Sequence, residues 1–396
     1  MATNIQPITQ SIARELFNSY DSFKVVEITS CRITHANILK WFQSFKEQDL
    51  FTKLPLGTSG EGRTISLYTI GNGSTKVMLW SQMHGDEPTA TMALIDIFNF
   101  FTKHQGHTVT KTIKEKLTLL VIPMLNPDGA ERFTRRTAQL IDLNRDALAL
   151  ETPEARILKE TCSKYQPEYA FNLHDQDARL TVGTTKKIAA MALLAPSTDE
   201  SRTDTPVRVR SKKVASTFAQ ILNLFIPGYL AKWDDTFEPR AFGDNIQKWG
   251  TSTMLIESGG WKGDPNKFFI RKLNCIALLT TLYAIATSES AQVNTEVYEQ
   301  IPFNMKLGCD YIIRNAVLQM NNQTAPIRVD IGINFETRKN ESTDTLEKIA
   351  TIVEVGDLTT FTALEEDVDV KGAKLDADRI KLDHSFYASE LPLLLK

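Results

Sequence analysis

The chain has 396 residues, of which 42% are hydrophobic and 23% charged, with a formal net charge of −3 at pH 7. That length exceeds one ordinary domain and suits two, and the composition is that of a globular protein with a substantial core. A charge so near zero supplies no strong positive field, which argues against nucleic acid or an anionic membrane as a partner.

The first 49 residues read as helical and polar, with the clearest amphipathic stretch over 36–45. They lack the basic and apolar regions of a secretory signal. From about 50 to 292, short apolar runs alternate with helical patterns. Strands are expected over 64–70, 76–80, 117–122, 169–173, 189–194 and 253–256, and helices over 89–102, 153–165, 211–225 and 266–286. In the third of these helices Val214, Phe218, Ile221, Leu222 and Phe225 recur at helical spacing. The alternation predicts an α/β domain with a mixed, mostly parallel sheet flanked by helices. No run approaches the ~20 apolar residues that cross a bilayer.

After 292 the texture changes. Ile327, Val329, Ile331, Ile333 and Phe335 alternate with Arg328, Asp330, Gly332 and Asn334, the period of two of a half-buried strand. A further β-like run covers 351–355. Residues 293–396 are therefore expected to form a smaller β-rich accessory domain. The acidic stretch Glu365, Glu366, Asp367 and Asp369 reads as a solvated face, because its spacing lacks the pattern of a calcium-binding loop. The four cysteines are scattered and form no Cys-x-x-Cys pair, which fits a reducing, cytoplasmic setting.

Chemistry concentrates at the strand ends. The chain has six histidines. His84 follows the apolar run VMLW within a few residues, His174 follows AFNL, Glu257 follows TMLI, and Asn126-Pro127-Asp128-Gly129 follows LLVIPML. Ligand clefts in open α/β sheets lie outside the carboxyl ends of the strands, so these clusters converge on one rim. A catalytic zinc needs three N or O ligands at ~2.0–2.2 Å and an open position. His84 and Glu87, three apart across Gly85, with His174 can supply the three. Singly, each is as well read as a lone strand-end polar group; together they are not. His104 and His107, in a polar segment after a helix, read as loop residues. Glu257 is placed to take a proton from an activated water and pass it to a leaving amine. Asp142, Asn144 and Arg145 form a further cluster, with Arg suited to grip a carboxylate. Of Arg132, Arg135 and Arg136, one is expected to face a developing oxyanion.

The ordered series His84-x-x-Glu87, Asn126-Pro127-Asp128-Gly129, Arg135, Asp142-Leu143-Asn144-Arg145, His174 and Glu257 resembles the M14 family of zinc carboxypeptidases, in a divergent bacterial-type form. The resemblance spans roughly 50–290. It implies one zinc per chain held by His84, Glu87 and His174, with Glu257 as general base and acid. Asn144 and Arg145 would hold the substrate carboxylate, Arg135 would polarise the scissile carbonyl, and Asp142 would orient His84. Asp146 stands where digestive-type members have asparagine, and the segment from Asp128 to Asn144 is short. Tyr229 is a candidate for the family's substrate-capping tyrosine. The expected activity is hydrolysis of a C-terminal peptide bond in a small, carboxylate-bearing substrate. Two alternatives stay open: an N-acyl amino acid deacylase of the aspartoacylase type, and a non-catalytic peptide-binding module. Lys232, Arg240 and Lys248 suggest an acidic group on the substrate. For the β-rich accessory domain three roles stay open: shielding the cleft, restricting substrates to small peptides, or forming an oligomer contact.

Overall fold

The computed structural model describes residues 4–46, 50–339 and 346–395. In chain order its elements are α1 (Pro7–Phe23), α2 (His35–Lys46), β1 (Thr52–Thr58), β2 (Thr64–Ile70), β3 (Thr75–Ser81), α3 (Thr89–Lys103), α4 (Thr108–Lys116), β4 (Leu117–Ile122), α5 (Pro127–Arg132), α6 (Pro153–Tyr165), β5 (Tyr169–Asp175), β6 (Thr181–Val182) and β7 (Met191–Leu194). There follow α7 (Pro206–Leu222), β8 (Leu230–Lys232), α8 (Phe242–Lys248), β9 (Ser252–Ser258), α9 (Phe268–Ala286), α10 (Glu296–Glu299), β10 (Asn304–Met305), β11 (Gly308–Leu318), β12 (Ile327–Lys339), β13 (Leu346–Gly356), β14 (Thr362–Asp369) and β15 (Ser385–Tyr387). They form two compact units. The first comprises the chain up to Gln176, Ala190–Gly259 and Asp264–Phe303; the second comprises Asp177–Ala189, Gly260–Gly263 and the chain from Asn304.

The first unit is built on an eight-stranded sheet of order β1-β2-β4-β3-β5-β9-β7-β8. Its centre, β4-β3-β5-β9, is parallel, while β1, β2 and the β7–β9 pairing are antiparallel. The expected mixed, mostly parallel sheet is present. The central strands are buried along almost their whole length, which is why they read as unbroken apolar runs. Against one face pack Ala155, Leu158 and Cys162 of α6 and Phe242 and Ile246 of α8, filling in over Met78, Trp80, Leu120, Ile122 and Ala170. The other layer holds α1, α3, α4 and α7, gathered around α9. Contrary to the expectation that no run approaches the length of a membrane span, α9 is long and apolar enough in composition to cross one; its residues are almost all buried in this core.

Helix starts follow local chemistry. Thr152 caps α6 by accepting from the Ala155 N–H at 3.2 Å, and Pro153 follows at the first helical position. The same device opens α7, where Thr205 accepts from Arg208 and Pro206 follows. This helix starts five residues before the stretch expected at 211–225 and ends three residues earlier. The apolar repeat marks its buried face, and the cap in front of a charged first turn carries no apolar period.

In the second unit a five-stranded sheet has the order β14-β11-β12-β13-β15. The alternating run is β12, with Val329, Ile331 and Ile333 facing a core completed by Ile313, Leu318, Ala350 and Ile352. The acidic stretch is the edge strand β14. Arg314 holds Asp367 at 2.8 Å through two nitrogens, and Lys348 holds Glu365 at 2.7 Å. Charges on an edge strand oppose pairing with a second sheet. This unit starts later than 293 and also takes in two earlier segments. Residues 293–303 belong to the first unit because Tyr298 is buried there, with its hydroxyl accepting from the Ala195 N–H at 3.0 Å.

Candidate metal centre and cleft

The site grows from the carboxyl ends of β3, β5 and β9. After β3, Gln82 takes a left-handed φ of 50° and its side chain donates to the Gly85 carbonyl at 2.9 Å, folding the chain back. A Cβ on Gly85 would come within 2.0 Å of the Gly129 carbonyl carbon, so this turn packs directly on α5. Asn126 joins the two. Its Oδ1 accepts from the Gly129 N–H at 2.9 Å, and its Nδ2 donates to the carbonyls of Met83 at 3.3 Å and Arg135 at 3.4 Å. The Asn-Pro-Asp-Gly turn thus fixes both the His84 loop and the Arg135 loop.

His84, Glu87 and His174 are buried, and one ligand atom from each lies within 4.8 Å of the others. Glu87 places one carboxylate oxygen 2.8 Å from His84 Nδ1 and the other 2.7 Å from His174 Nδ1. His84 Nε2 lies 3.0 Å from Asp142 Oδ1. Neutral His84 carries one ring proton; Arg135, which can only donate, lies 3.1 Å from Nδ1, so that proton sits on Nε2 and is donated to Asp142. Two buried imidazoles and a carboxylate thus bring donor atoms of N and O type to one point, the kind of set a divalent metal takes. The donor set therefore fits a divalent metal, with Asp142 orienting the first histidine. Among the described residues this is the one such group.

Electrostatics agree with that reading. Burial pushes the Glu87 carboxyl up, but the two imidazoles outweigh it and hold it below the ordinary range. Burial likewise opposes ionisation of Asp142, and His84 and Arg135 together overcome it. Burial depresses both histidines. At His84 the carboxylates of Glu87 and Asp142 reverse the sign, whereas His174, with Glu87 alone, stays lowered.

On the neighbouring strand Glu257 is the register partner of His174. Parallel pairing sends both side chains to the same side, so Glu257 stands beside the ligand set. Burial, and then the charges of Glu87 and Asp175, raise its pKa well above the carboxylate range. A cation at the ligand set would offset the Glu87 contribution.

Of the three loop arginines only Arg135 reaches the centre. Its guanidinium lies 3.1 Å from His84 Nδ1 and 3.2 Å from Glu87 Oε1, and donates to Asp142 Oδ2 at 3.1 Å. Arg132 turns to Glu61 and the Asp128 carbonyl, and Arg136 to the Leu140 carbonyl. Asn144 Oδ1 accepts from the Phe242 N–H at 2.9 Å, anchoring the Asp142–Arg145 loop to α8. Arg145 donates to the Asn144 carbonyl at 2.8 Å and lies 3.4 Å from Glu238, with its side chain partly exposed. Asp146 turns inward and accepts from the N–H groups of Glu151 and Thr152, so it shapes the start of α6.

The remaining candidates lie elsewhere. His107 caps α4 and contacts Glu15, and His104 stacks on Phe100. Lys232 donates to the Glu299 carbonyl, Arg240 pairs with Glu238 in two-pronged fashion, and Lys248 lies over the Phe237 ring. The charges of Lys232 and Arg240 are matched by the carboxylates of Glu299, at 4.0 Å, and Glu238, at 2.8 Å. Tyr229 is half-buried at the start of the edge strand β8. Sequence reasoning passed over the bridging of Asn126 and the pair formed by Asp175 and Lys267, 3.1 Å apart beside His174. Position next to a ligand could have flagged Asp175; nothing in the sequence pattern marks Lys267.

A model of the zinc carboxypeptidase family matches residues 38–187, the span that carries His84, Glu87, the Asp142–Arg145 loop and His174. The chain has a zinc carboxypeptidase fold. Carboxypeptidase 2 of Trichophyton rubrum is 30% identical over 219 residues, 54% of this chain and 38% of its own length. Probable carboxypeptidase 2 of Arthroderma benhamiae is 30% identical over 165 residues, 41% of this chain and 30% of its own. The chain therefore spans well under half the length of these relatives. A metallo-carboxypeptidase structure from Burkholderia cenocepacia superposes with a TM-score of 0.51 at 16% identity, over 64% of this chain and 69% of that one. At such identity the likeness concerns the carboxypeptidase fold alone.

Proposed function

We propose that the protein is a zinc carboxypeptidase that hydrolyses the C-terminal peptide bond of a small substrate with a free carboxylate. The reading rests chiefly on one juxtaposition. A three-ligand set of catalytic type stands beside a carboxylate, Glu257, that is register-paired with one of the ligands. His84, Glu87 and His174 would hold the ion. A bound zinc would polarise the scissile carbonyl and lower the pKa of a water at the site toward ~7.

The chain's own groups supply the rest. Glu257, ionised once a cation offsets the negative charge of Glu87 beside it, takes the proton of the attacking water and delivers it to the departing amine nitrogen. Arg135 presents N–H donors where the carbonyl oxygen gains charge. Arg145, its guanidinium partly exposed, and the Asn144 amide bind the terminal carboxylate from the α6/α8 side. Asp142 keeps the His84 proton on Nε2.

The test uses zinc-loaded protein with peptides offered as free acids and as C-terminal amides, together with N-acyl amino acids. Release of one C-terminal residue from free acids and not from amides is the expected result. Cleavage of N-acyl amino acids alone would transfer the reading to a deacylase. Binding of peptides without any product would leave a binding module.

A further inference from the structure

The N-terminal helices feed a connecting stretch, residues 24–34, anchored at both ends. The Val25 N–H donates to Asp96 Oδ1 at 2.8 Å and its carbonyl accepts from Arg271 at 2.9 Å. Asp96 belongs to α3, and Arg271 to the first turn of α9. At the far end the His35 N–H donates to Glu131 at 2.8 Å, and the ring lies 2.9 Å from the Thr64 carbonyl. Between these anchors Ile28 and Ile33 are buried. Cys31 lies within electrostatic reach of Lys267 and Asp175, the residue after His174. The guanidinium of Arg32 stands 4.6 Å over the ring of Phe133, two residues before Arg135.

The stretch thus crosses the rim on the α3/α9 layer. Asn144 and Arg145 sit on the opposite layer, where Leu143 packs with α6 and α8. In the carboxypeptidase reading, a peptide held by its terminal carboxylate at Arg145 with its scissile bond at the ligand set would carry its upstream residues away from the α6/α8 side, toward α3 and α9. Arg32 is exposed there, and among the described residues no carboxylate lies within ion-pair distance of it. Lys267, the other cation of this side, is already matched by Asp175. An exposed arginine on an aromatic ring is commonly a simple surface contact. Here, however, the contact holds an unmatched positive charge on a ring two residues from Arg135, and the neighbouring Cys31 lies within electrostatic reach of Asp175.

We propose that residues 26–34 form the upstream wall of the cleft, and that Arg32 recognises an acidic side chain one or two residues before the scissile bond. The inference rests on the carboxypeptidase reading and adds a substrate class to it. Arg32 touches neither the ligand set nor Glu257, so it sets preference and takes no part in bond breaking.

Blocked peptides with one common C-terminal residue and Glu, Ala or Lys at the two upstream positions provide the test. Wild-type kcat/KM should favour Glu over Ala by roughly two- to five-fold, the scale of an exposed ion pair. The ratio should fall to one in Arg32→Gln and invert toward Lys in Arg32→Glu, and high salt should shrink it. A second arm uses zinc-loaded Glu257→Gln and measures peptide binding by calorimetry, with and without Arg32→Glu. Discrimination there reads this proposal even without turnover. A Glu-to-Lys ratio unchanged by Arg32→Glu in both arms overturns it. Absence of product from wild type, with charge-selective binding intact, counts against the catalytic reading alone.

Discussion

At the scale of single residues, the proposed site divides into groups that would hold an ion and a group that would move a proton, and substitution should separate them. Glu257 stands beside the ligand set without belonging to it. Glu257→Gln should therefore keep stoichiometric metal and lose about 10²–10⁴ in kcat, the usual worth of general acid–base catalysis; wild-type turnover in this variant would remove Glu257 from the mechanism. His84→Ala should lose metal and activity together. Asp142→Asn tests a finer point. The carboxylate fixes the proton on His84 Nε2 from 3.0 Å, and an amide can turn a donor toward that nitrogen instead. Metal affinity should fall by about 10–100-fold, read by competition with a chelator. Unchanged affinity would mean that Asp142 serves Arg135 and not His84. Much of this site was legible because each group follows an apolar run that ends at one rim. The choice among Arg132, Arg135 and Arg136 was not readable from charge. It is made by Asn126, whose amide pins the Arg135 carbonyl, and by Glu61, which draws Arg132 away.

At the scale of elements, burial decides what the sequence pattern reveals. Central strands stood out because both faces are covered, and the buried face of α7 stood out at helical spacing. The start of α7 did not, because a capping threonine in front of charged residues has no apolar signature. α8 carries a conflict that burial also decides. Asp244 lies in its first turn, where the helix dipole favours a negative charge. Burial nevertheless pushes its carboxyl up to about 7, with the backbone N–H of Glu238 as a partial offset. The sign follows directly. Between the unfolded value near ~3.9 and the folded value, the native state binds more protons than the unfolded chain, so stability falls as pH rises. The cost is absent at low pH and complete above about 7. Asp244→Asn can keep the acceptor without the charge. It should raise stability at pH 8 relative to wild type by on the order of 1–3 kcal/mol, and by much less at pH 4. Denaturant unfolding at both pH values checks this; an equal shift at the two would show that the gain has another source.

At the scale of the whole molecule, the chain's organisation is only partly linear. The β12 alternation announced a β-rich unit, but Asp177–Ala189 and Gly260–Gly263 also belong to it. Short segments contributed from the middle of another unit have no period of their own, and their membership comes from tertiary contacts. The same holds for the N-terminal helices, which read as a polar helical segment ahead of the catalytic domain and are integral to the first unit. Their attachment has an identifiable centre. Asp96, fully buried in α3, accepts from the Tyr20 hydroxyl of α1 at 2.5 Å, from the Val25 N–H at 2.8 Å, and from two nitrogens of Arg271 at 2.6 and 2.7 Å. One carboxylate thus joins α1, α3, α9 and the stretch that leads to Arg32. Asp96→Ala leaves Arg271 buried without a counter-charge, which should cost about 3–5 kcal/mol. The loss should be local as well as global, with amide exchange accelerating first in α1 and residues 24–34. Replacing both partners by apolar residues, as in Asp96→Leu with Arg271→Met, should recover much of the stability, because no charge is then stranded. Docking of α1 should recover less, since Tyr20 and Val25 still lack their acceptor. If Asp96→Ala unfolded within about 1 kcal/mol of wild type, the network would be an incidental contact, and the wall that carries Arg32 would owe its position to Ile28 and Ile33 instead.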